Sequence, residues 1–228
     1  MATGAPGTNG VWQYGEDDSE ATFSALLNKV ASTADTQIGT DRGRLTTLEA
    51  RKLSGLVPII PTSVSINAGS SSFNSTTGEI TFTGGSVLTA NGVFTSAYKN
   101  YLVLYEVATT TAACDIFAQL KNSGGTQSSG YTSYQIQAAS GGVTGGLAVP
   151  TTAFTVGRSN GTYGTSVSLN LYSPQMSRYK KFDSMTGDAA VARFHAGLNG
   201  TTSVFTDLVI FPNGQNLTDG KCKIYGYN

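Results

Sequence analysis

The sequence predicts a mostly β protein: an antiparallel, jelly-roll-like β-sandwich head that follows a short N-terminal trimeric α-helical coiled-coil stalk. Three observations carry this. Apolar and polar residues alternate with period two through seven stretches after residue 64. Segments rich in Gly, Ser, Asn and Thr separate those stretches, as turns require. Between Phe23 and Leu48 the apolar residues instead recur at steps of three and four, the spacing of a helix seam.

Composition narrows the function classes. Charged residues are 12% of the 228, well under the usual quarter, and the net charge is zero. Without a basic stripe, nucleic acid is not expected as a partner. No apolar run is long enough to cross a bilayer as a helix, so membrane insertion is not expected either. The opening MATGAPGTNG has no basic n-region or apolar h-region, and a Sec-type leader is not expected. Cys114 and Cys222 would pair only if adjacent strands brought them together; two buried free thiols are the expectation. No sequence pattern calls for a cofactor or a metal.

Residues 1–19 form a Gly-, Ala- and Thr-rich lead-in in which Trp12 and Tyr14 stand beside the acidic EDDSE. Trp12 either staples onto the following helix or anchors the N-terminus to a larger assembly, a role that suits Trp and Tyr. Residues 20–54 form the stalk. Asp18 or Ser19 can cap a helix whose Phe23, Leu26 and Val30 follow an a-d-a series. Ala34 and Ile38 then come at steps of four, so the register slips by one residue. Gly39 followed by Thr40 and Asp41 predicts a break there, giving helical segments over 20–37 and 41–53. Together they reach ~45 Å at 1.5 Å per residue.

Ile38, Leu45 and Leu48 take positions a, a and d, with Arg44 before Leu45 and Glu49 after Leu48. This spacing lets an arginine of one strand reach the glutamate of a neighbour while its stem covers the seam. It resembles the Arg-h-x-x-h-Glu motif (h apolar) of short three-stranded parallel coiled coils. The competing reading is one amphipathic helix with an internal ion pair. A helix this short with two glycines is marginal alone in water, which favours a parallel homotrimer. Residues 55–62 contain LVPIIP, where two prolines three apart forbid a continuing helix, and read as a neck.

Residues 63–228 form the head. EITFTG (79–84), NYLVLYEVATT (100–110), CDIFAQLK (114–121), YTSYQIQA (131–138), SVSLNLYS (166–173), SVFTDLVIF (203–211) and GKCKIYGY (220–227) read as strands. Eight to ten strands at this spacing mean an antiparallel sandwich, and connections longer than hairpin turns favour a jelly roll over a meander.

His195 is the only histidine and neither cysteine lies at ligand spacing from it, so a satisfied strand residue is expected. A glycosidase would need two carboxylates flanking the bond to be cut, and no pair among Glu79, Glu106, Asp115, Asp183, Asp188, Asp207 and Asp219 stands out by position. The remaining candidates lie in or beside loops: Tyr131, Arg158, Asn160, Tyr163, Arg178, Tyr179, Lys180 and Lys181. Sugars are recognised by aromatic faces and by Asn, Asp or Arg bonded to hydroxyls. Arg158, Asn160, Tyr163 and Tyr179 are the residues expected to carry such binding. The alternative is that the tyrosines cap sandwich edges and Lys180-Lys181 keeps the surface soluble.

The order of segments, with TSAYKNYLVLYEV (95–107), LYSPQMSRYKKFDS (171–184) and the ending DLVIFPNGQNLTDGKCKIYGYN (207–228), resembles fibre-like minor tail proteins of phages of actinobacteria and tailed-phage fibre heads more broadly. The resemblance implies a homotrimer within a virion, docked through Trp12 and Tyr14 to another virion protein. Its head would adhere to a glycan or envelope component of the host cell surface, without catalysis. A capsid-attached fibre or decoration protein is the first rival. A small cell-surface glycan hydrolase and a trimeric jelly-roll head of the C1q or TNF type are the others; phage depolymerases are usually larger, repetitive β-helices.

Overall fold

The computed structural model describes residues 28–43, 55–148, 152–187 and 191–228. The chain divides into a unit Met1–Ser54 and a unit Gly55–Asn228.

In the first unit residues 28–43 form one helix, α1, uninterrupted at Gly39-Thr40-Asp41. The break expected there does not occur. The hydroxyls of Thr33, Thr36 and Thr40 donate to the carbonyls of Lys29, Ser32 and Thr36 at 2.8, 2.8 and 2.9 Å, and Gln37 Nε2 donates to Asp41 Oδ1 at 3.2 Å. Side chains that signal a helix start are here turned back onto the helix's own turns. One interior glycine costs only about 1 kcal/mol against that. Val30 is half-buried and Ile38 is 50% exposed on this helix. Trp12, Tyr14, Phe23, Leu26, Arg44, Leu45, Leu48 and Glu49 lie outside the described residues.

The second unit holds two antiparallel sheets facing one another across a single core. The larger runs in the order β10 (Gly142–Ala148), β9 (Tyr131–Ala139), β14 (Ala192–Asn199), β13 (Lys180–Gly187), β12 (Thr165–Tyr172), β6 (Asn100–Thr110), β16 (Leu217–Tyr227), β4 (Ile80–Gly84), β3 (Gly69–Phe73). A short β1 (Val57–Pro58) also pairs with β16. The smaller runs β11 (Phe154–Ser159), β7 (Cys114–Asn122), β15 (Asp207–Pro212), β5 (Leu88–Asn91), β2 (Ser63–Ile66), with β8 (Gly125–Thr126) added to β7. Inward residues of both sheets meet in the core: Val103, Tyr105 and Leu169 from the larger, Ile116, Leu120 and Ile210 from the smaller.

The mostly β, antiparallel expectation agrees with this architecture, but eight to ten strands is too few: the described residues contain sixteen. Residues 55–62, expected as a neck, belong to the sandwich unit. Val57 and Pro58 pair with Gly226 and Tyr225, Ile59 N–H donates to the Ile224 carbonyl at 2.8 Å, and the Ile59 side chain is buried. Proline is tolerated at such a strand margin, where its missing N–H costs no ladder bond. The predicted strand 203–211 begins only at Asp207, because Phe205 N–H bonds to the Pro174 carbonyl and Thr206 N–H to the Lys121 carbonyl. SGGVTGG (140–146), whose glycines are those expected of the turn-rich connections between strands, is largely β10.

The ends of the sandwich differ. At one, the chain enters through β1 beside the end of β16, with the start of β6 and the end of β12 alongside. The opposite end carries the β6–β7 turn, the β11–β12 loop and the β15–β16 turn.

Candidate functional site

β12 reads Thr-Ser-Val-Ser-Leu-Asn-Leu-Tyr. Alternation sends Val167, Leu169 and Leu171 into the core and leaves Ser166, Ser168, Asn170 and Tyr172 on the outer face of the larger sheet. Register extends each outward position into a row. Tyr172 lies opposite Asn100 on one side and Lys181 on the other, Asn170 opposite Leu102 and Asp183, and Ser168 opposite Leu104 and Met185.

The middle row is a fixed polar network. Tyr172 donates its hydroxyl to Asp183 Oδ1 at 2.6 Å, and Asn170 Nδ2 donates to Asp183 Oδ2 at 2.8 Å. The bond to the Asp183 carboxylate, with burial and the carboxylate's charge adding, raises the Tyr172 phenol well above its ordinary range, so it stays a donor.

Beside this network, at the end where the chain enters, lies a cleft of about 740 Å³. Tyr172 and Tyr179 contribute rings, Arg178 and Lys181 positive charge, and Asn100, Ser173, Ser177 and Thr202 further polar groups. One wall is the segment between β12 and β13, and it is held from beneath. Lys180 is 1% exposed; its ammonium donates to the Met176 carbonyl at 2.7 Å and to the Arg178 carbonyl, and stands 5.5 Å over the Phe205 ring. Gln175 Nε2 donates to the Phe94 and Phe205 carbonyls, both at 2.6 Å. Ser173 takes a left-handed backbone, φ 61°, and its Oγ accepts from Arg178 Nη2 at 2.7 Å. The wall is thereby set before any ligand arrives.

Further along the same face is an apolar trough of about 840 Å³ floored by Leu104, Ile136, Met185 and Phe194, with Glu79, Glu106, Lys221 and Lys223 toward one side.

The four sequence-predicted binding residues are not brought together. Arg158, on β11, pairs with Asp115 at 3.2 Å. Asn160 Oδ1 accepts the N–H groups of Thr162 and Tyr163 at 3.0 and 2.8 Å, closing the β11–β12 loop on itself. Tyr163 is 67% exposed on that loop. Tyr179 lies past the other end of β12, whose eight residues separate the loops by roughly 25 Å. Tyr131, another loop candidate, is a core residue: it is 2% exposed, its hydroxyl accepts the Leu120 N–H at 2.9 Å, and its ring meets Phe154 edge-on. Lys180 is buried rather than solubilising. Sequence reasoning missed Tyr172 and Asn100 as site residues, although the polar positions of β12, ending in tyrosine, carried the signal.

His195 is fully buried on β14, but both ring nitrogens lack hydrogen-bond partners among the described residues, so it is not satisfied as expected. Burial, with the Arg193 charge adding, lowers it to about 4. Cys114 and Cys222 are buried free thiols, and burial pushes Cys222 up to about 12.

No protein-family model matches the chain, and no curated protein matches it. Among solved structures, it is similar to the C-terminal CBM6 of LamC, a marine laminarinase from Zobellia galactanivorans, at 12% identity and TM-score 0.25, covering 74% of this chain and 98% of that one. It is also similar to CBM29_1, a family 29 carbohydrate-binding module from Piromyces equi, at 10% identity and TM-score 0.21, covering 77% and 89% respectively. Both likenesses are too distant to carry an argument about ligand.

Proposed function

We propose that this chain is a structural protein of a phage virion: a homotrimeric tail fibre or minor tail protein, attached through its N-terminal segment, with a coiled-coil stalk and a jelly-roll-like head. The head adheres to a glycan of the host cell surface and does not cleave it. The observation that carries the adhesive reading is the cleft beside Tyr179, where two tyrosine rings and convergent hydroxyl, amide and cationic groups stand on a pre-set wall. Several head carboxylates are already engaged by protein groups, which favours binding over hydrolysis. Asp115 pairs with Arg158, Glu79 with Lys221, and Asp207 with Lys121 and the Gly92 N–H, while Asp183 is held by Tyr172 and Asn170. Three copies of a weak site, each of ~millimolar affinity, gain useful avidity when presented together.

The test uses the purified full-length chain on cells that the parent phage infects. Saturable binding, blocked adsorption of the phage and no sugar released on prolonged incubation are expected. Tyr179→Ala, at a 61% exposed position, should weaken cell binding about tenfold with an unchanged thermal midpoint. Absence of cell binding by the wild-type chain would overturn the adhesive reading, and saturable glycan cleavage would overturn the non-enzymatic one.

A further inference from the structure

We propose that the cleft selects saccharides that carry negative charge, through Arg178 and Lys181; this rests on the adhesive reading and names its ligand class. Cations are scarce in this chain, 14 lysines and arginines in 228 residues, so their placement is informative. Lys121, Arg158 and Lys221 pair with Asp207, Asp115 and Glu79. Arg178 and Lys181, both exposed, form no ion pair among the described residues, yet both line one cleft whose lining has no carboxylate. The nearest outward acid in register, Asp183, is turned to Tyr172 and Asn170, which take one oxygen each; it keeps its charge, and the cations near the cleft outnumber it.

A third cation reinforces the field. Lys180 is buried under the same wall, and the groups around its ammonium are two carbonyls and a ring face, with no carboxylate paired to it among the described residues. Its pKa is lowered by burial and by the Arg178 charge, as expected of cations crowded together without an acid. A cleft with one sign of charge and low-dielectric walls concentrates the opposite charge. The Arg178 guanidinium is oriented by Ser173 and keeps donors to spare for a carboxylate or phosphate. The rings and hydroxyls serve the sugar itself, so an inorganic anion alone would meet only part of the site.

The experiment measures binding of the full-length chain to four probes: a galacturonic acid oligomer, a glycerol phosphate oligomer, neutral maltoheptaose and inorganic phosphate. At least one charged oligomer should bind tenfold or more tightly than maltoheptaose, and weaken as salt rises from about 50 to 300 mM. Which oligomer wins tells carboxylate from phosphate. Arg178→Gln with Lys181→Gln should remove the preference while binding of maltoheptaose and the circular dichroism stay as in the wild type, whereas Lys223→Gln, outside the cleft, should leave the preference intact. Equal binding of maltoheptaose, binding of neither charged oligomer, competition by inorganic phosphate at equal strength, or an unaffected double variant would each overturn the proposal. If the double variant still adheres to host cells as the wild type does, charge selection fails while adhesion stands. Failure of the wild type to adhere removes the adhesive reading instead.

Discussion

His195 sits on the inward face of β14, opposite Ser184 on β13 and Gln135 on β9, with no partner for either ring nitrogen among the described residues. Only a neutral imidazole is tolerable there, since a charged one would be buried beside Arg193. Its pKa is depressed from 6.5 to about 4, so the stability it permits is complete above pH 6.5 and is lost as pH falls through 4. The loss amounts to about 3 kcal/mol at its fullest. Denaturant melts between pH 7 and 4 should therefore show the wild type weakening across this window. His195→Gln should flatten that part of the profile; an unchanged profile would mean other groups dominate. The position could be read from sequence as a strand residue, but not its unmet nitrogens. Those depend on what β9 and β13 place opposite it, which no local pattern encodes.

At the level of elements, the segment between β12 and β13 behaves as a part with its own fastener. Replacing Lys180 by Met keeps the length of the stem but strips the donors from the Met176 and Arg178 carbonyls. A cost of about 2 to 3 kcal/mol is expected, the range for losing hydrogen bonds to a charged group. It should appear as a lower thermal midpoint together with weakened cell binding, because the wall of the cleft loosens at the same time. A variant with normal stability and normal binding would show that Gln175 and Ser173 hold the wall unaided.

Strands could be read from sequence where both faces were distinct. β12 alternates Val and Leu with polar residues, β7 alternates apolar with polar residues apart from Phe117, and β6 is rich in Tyr, Leu and Val; their predicted bounds lie within one residue of those observed. β3, with three serines, β10, with three glycines, and β13, which opens on two lysines, carry no such contrast. Their pairing partners make them strands: β10 is laid along β9 over seven register pairs. Tertiary pairing overrode local preference in these cases. In α1 the reverse held: Gly39 and Asp41 are local stop and start signals, and continuous helical turns overrode them.

The whole molecule, as proposed, depends on a seam that α1 only begins to describe. Ile38, which the proposal sets in that seam, is 50% exposed on α1. Leu45→Asp would set three carboxylates in that seam, at several kcal/mol each unless neutralised. Light scattering at micromolar concentration should then report loss of the trimer. A variant that remains fully trimeric would place the oligomer's contacts in the head. Tyr179 and the cations near it were visible in the sequence as a loop cluster; their union with Tyr172 and Asn100 was not. That union is made by the register of β12 against β13 and against β6, which lies far from both in the chain.

The trough floored by Leu104, Ile136, Met185 and Phe194 also affects how this protein reports on itself. In the folded single chain, their exposures of 42, 52, 66 and 42% leave an oily channel open to water. Dyes that brighten on apolar surfaces, used widely as indicators of partly unfolded chains, should fluoresce with the native protein. The signal should vanish with Met185→Glu, while circular dichroism and the thermal midpoint stay as they were. A bright dye, for this molecule, is then a property of the native surface and no measure of damage.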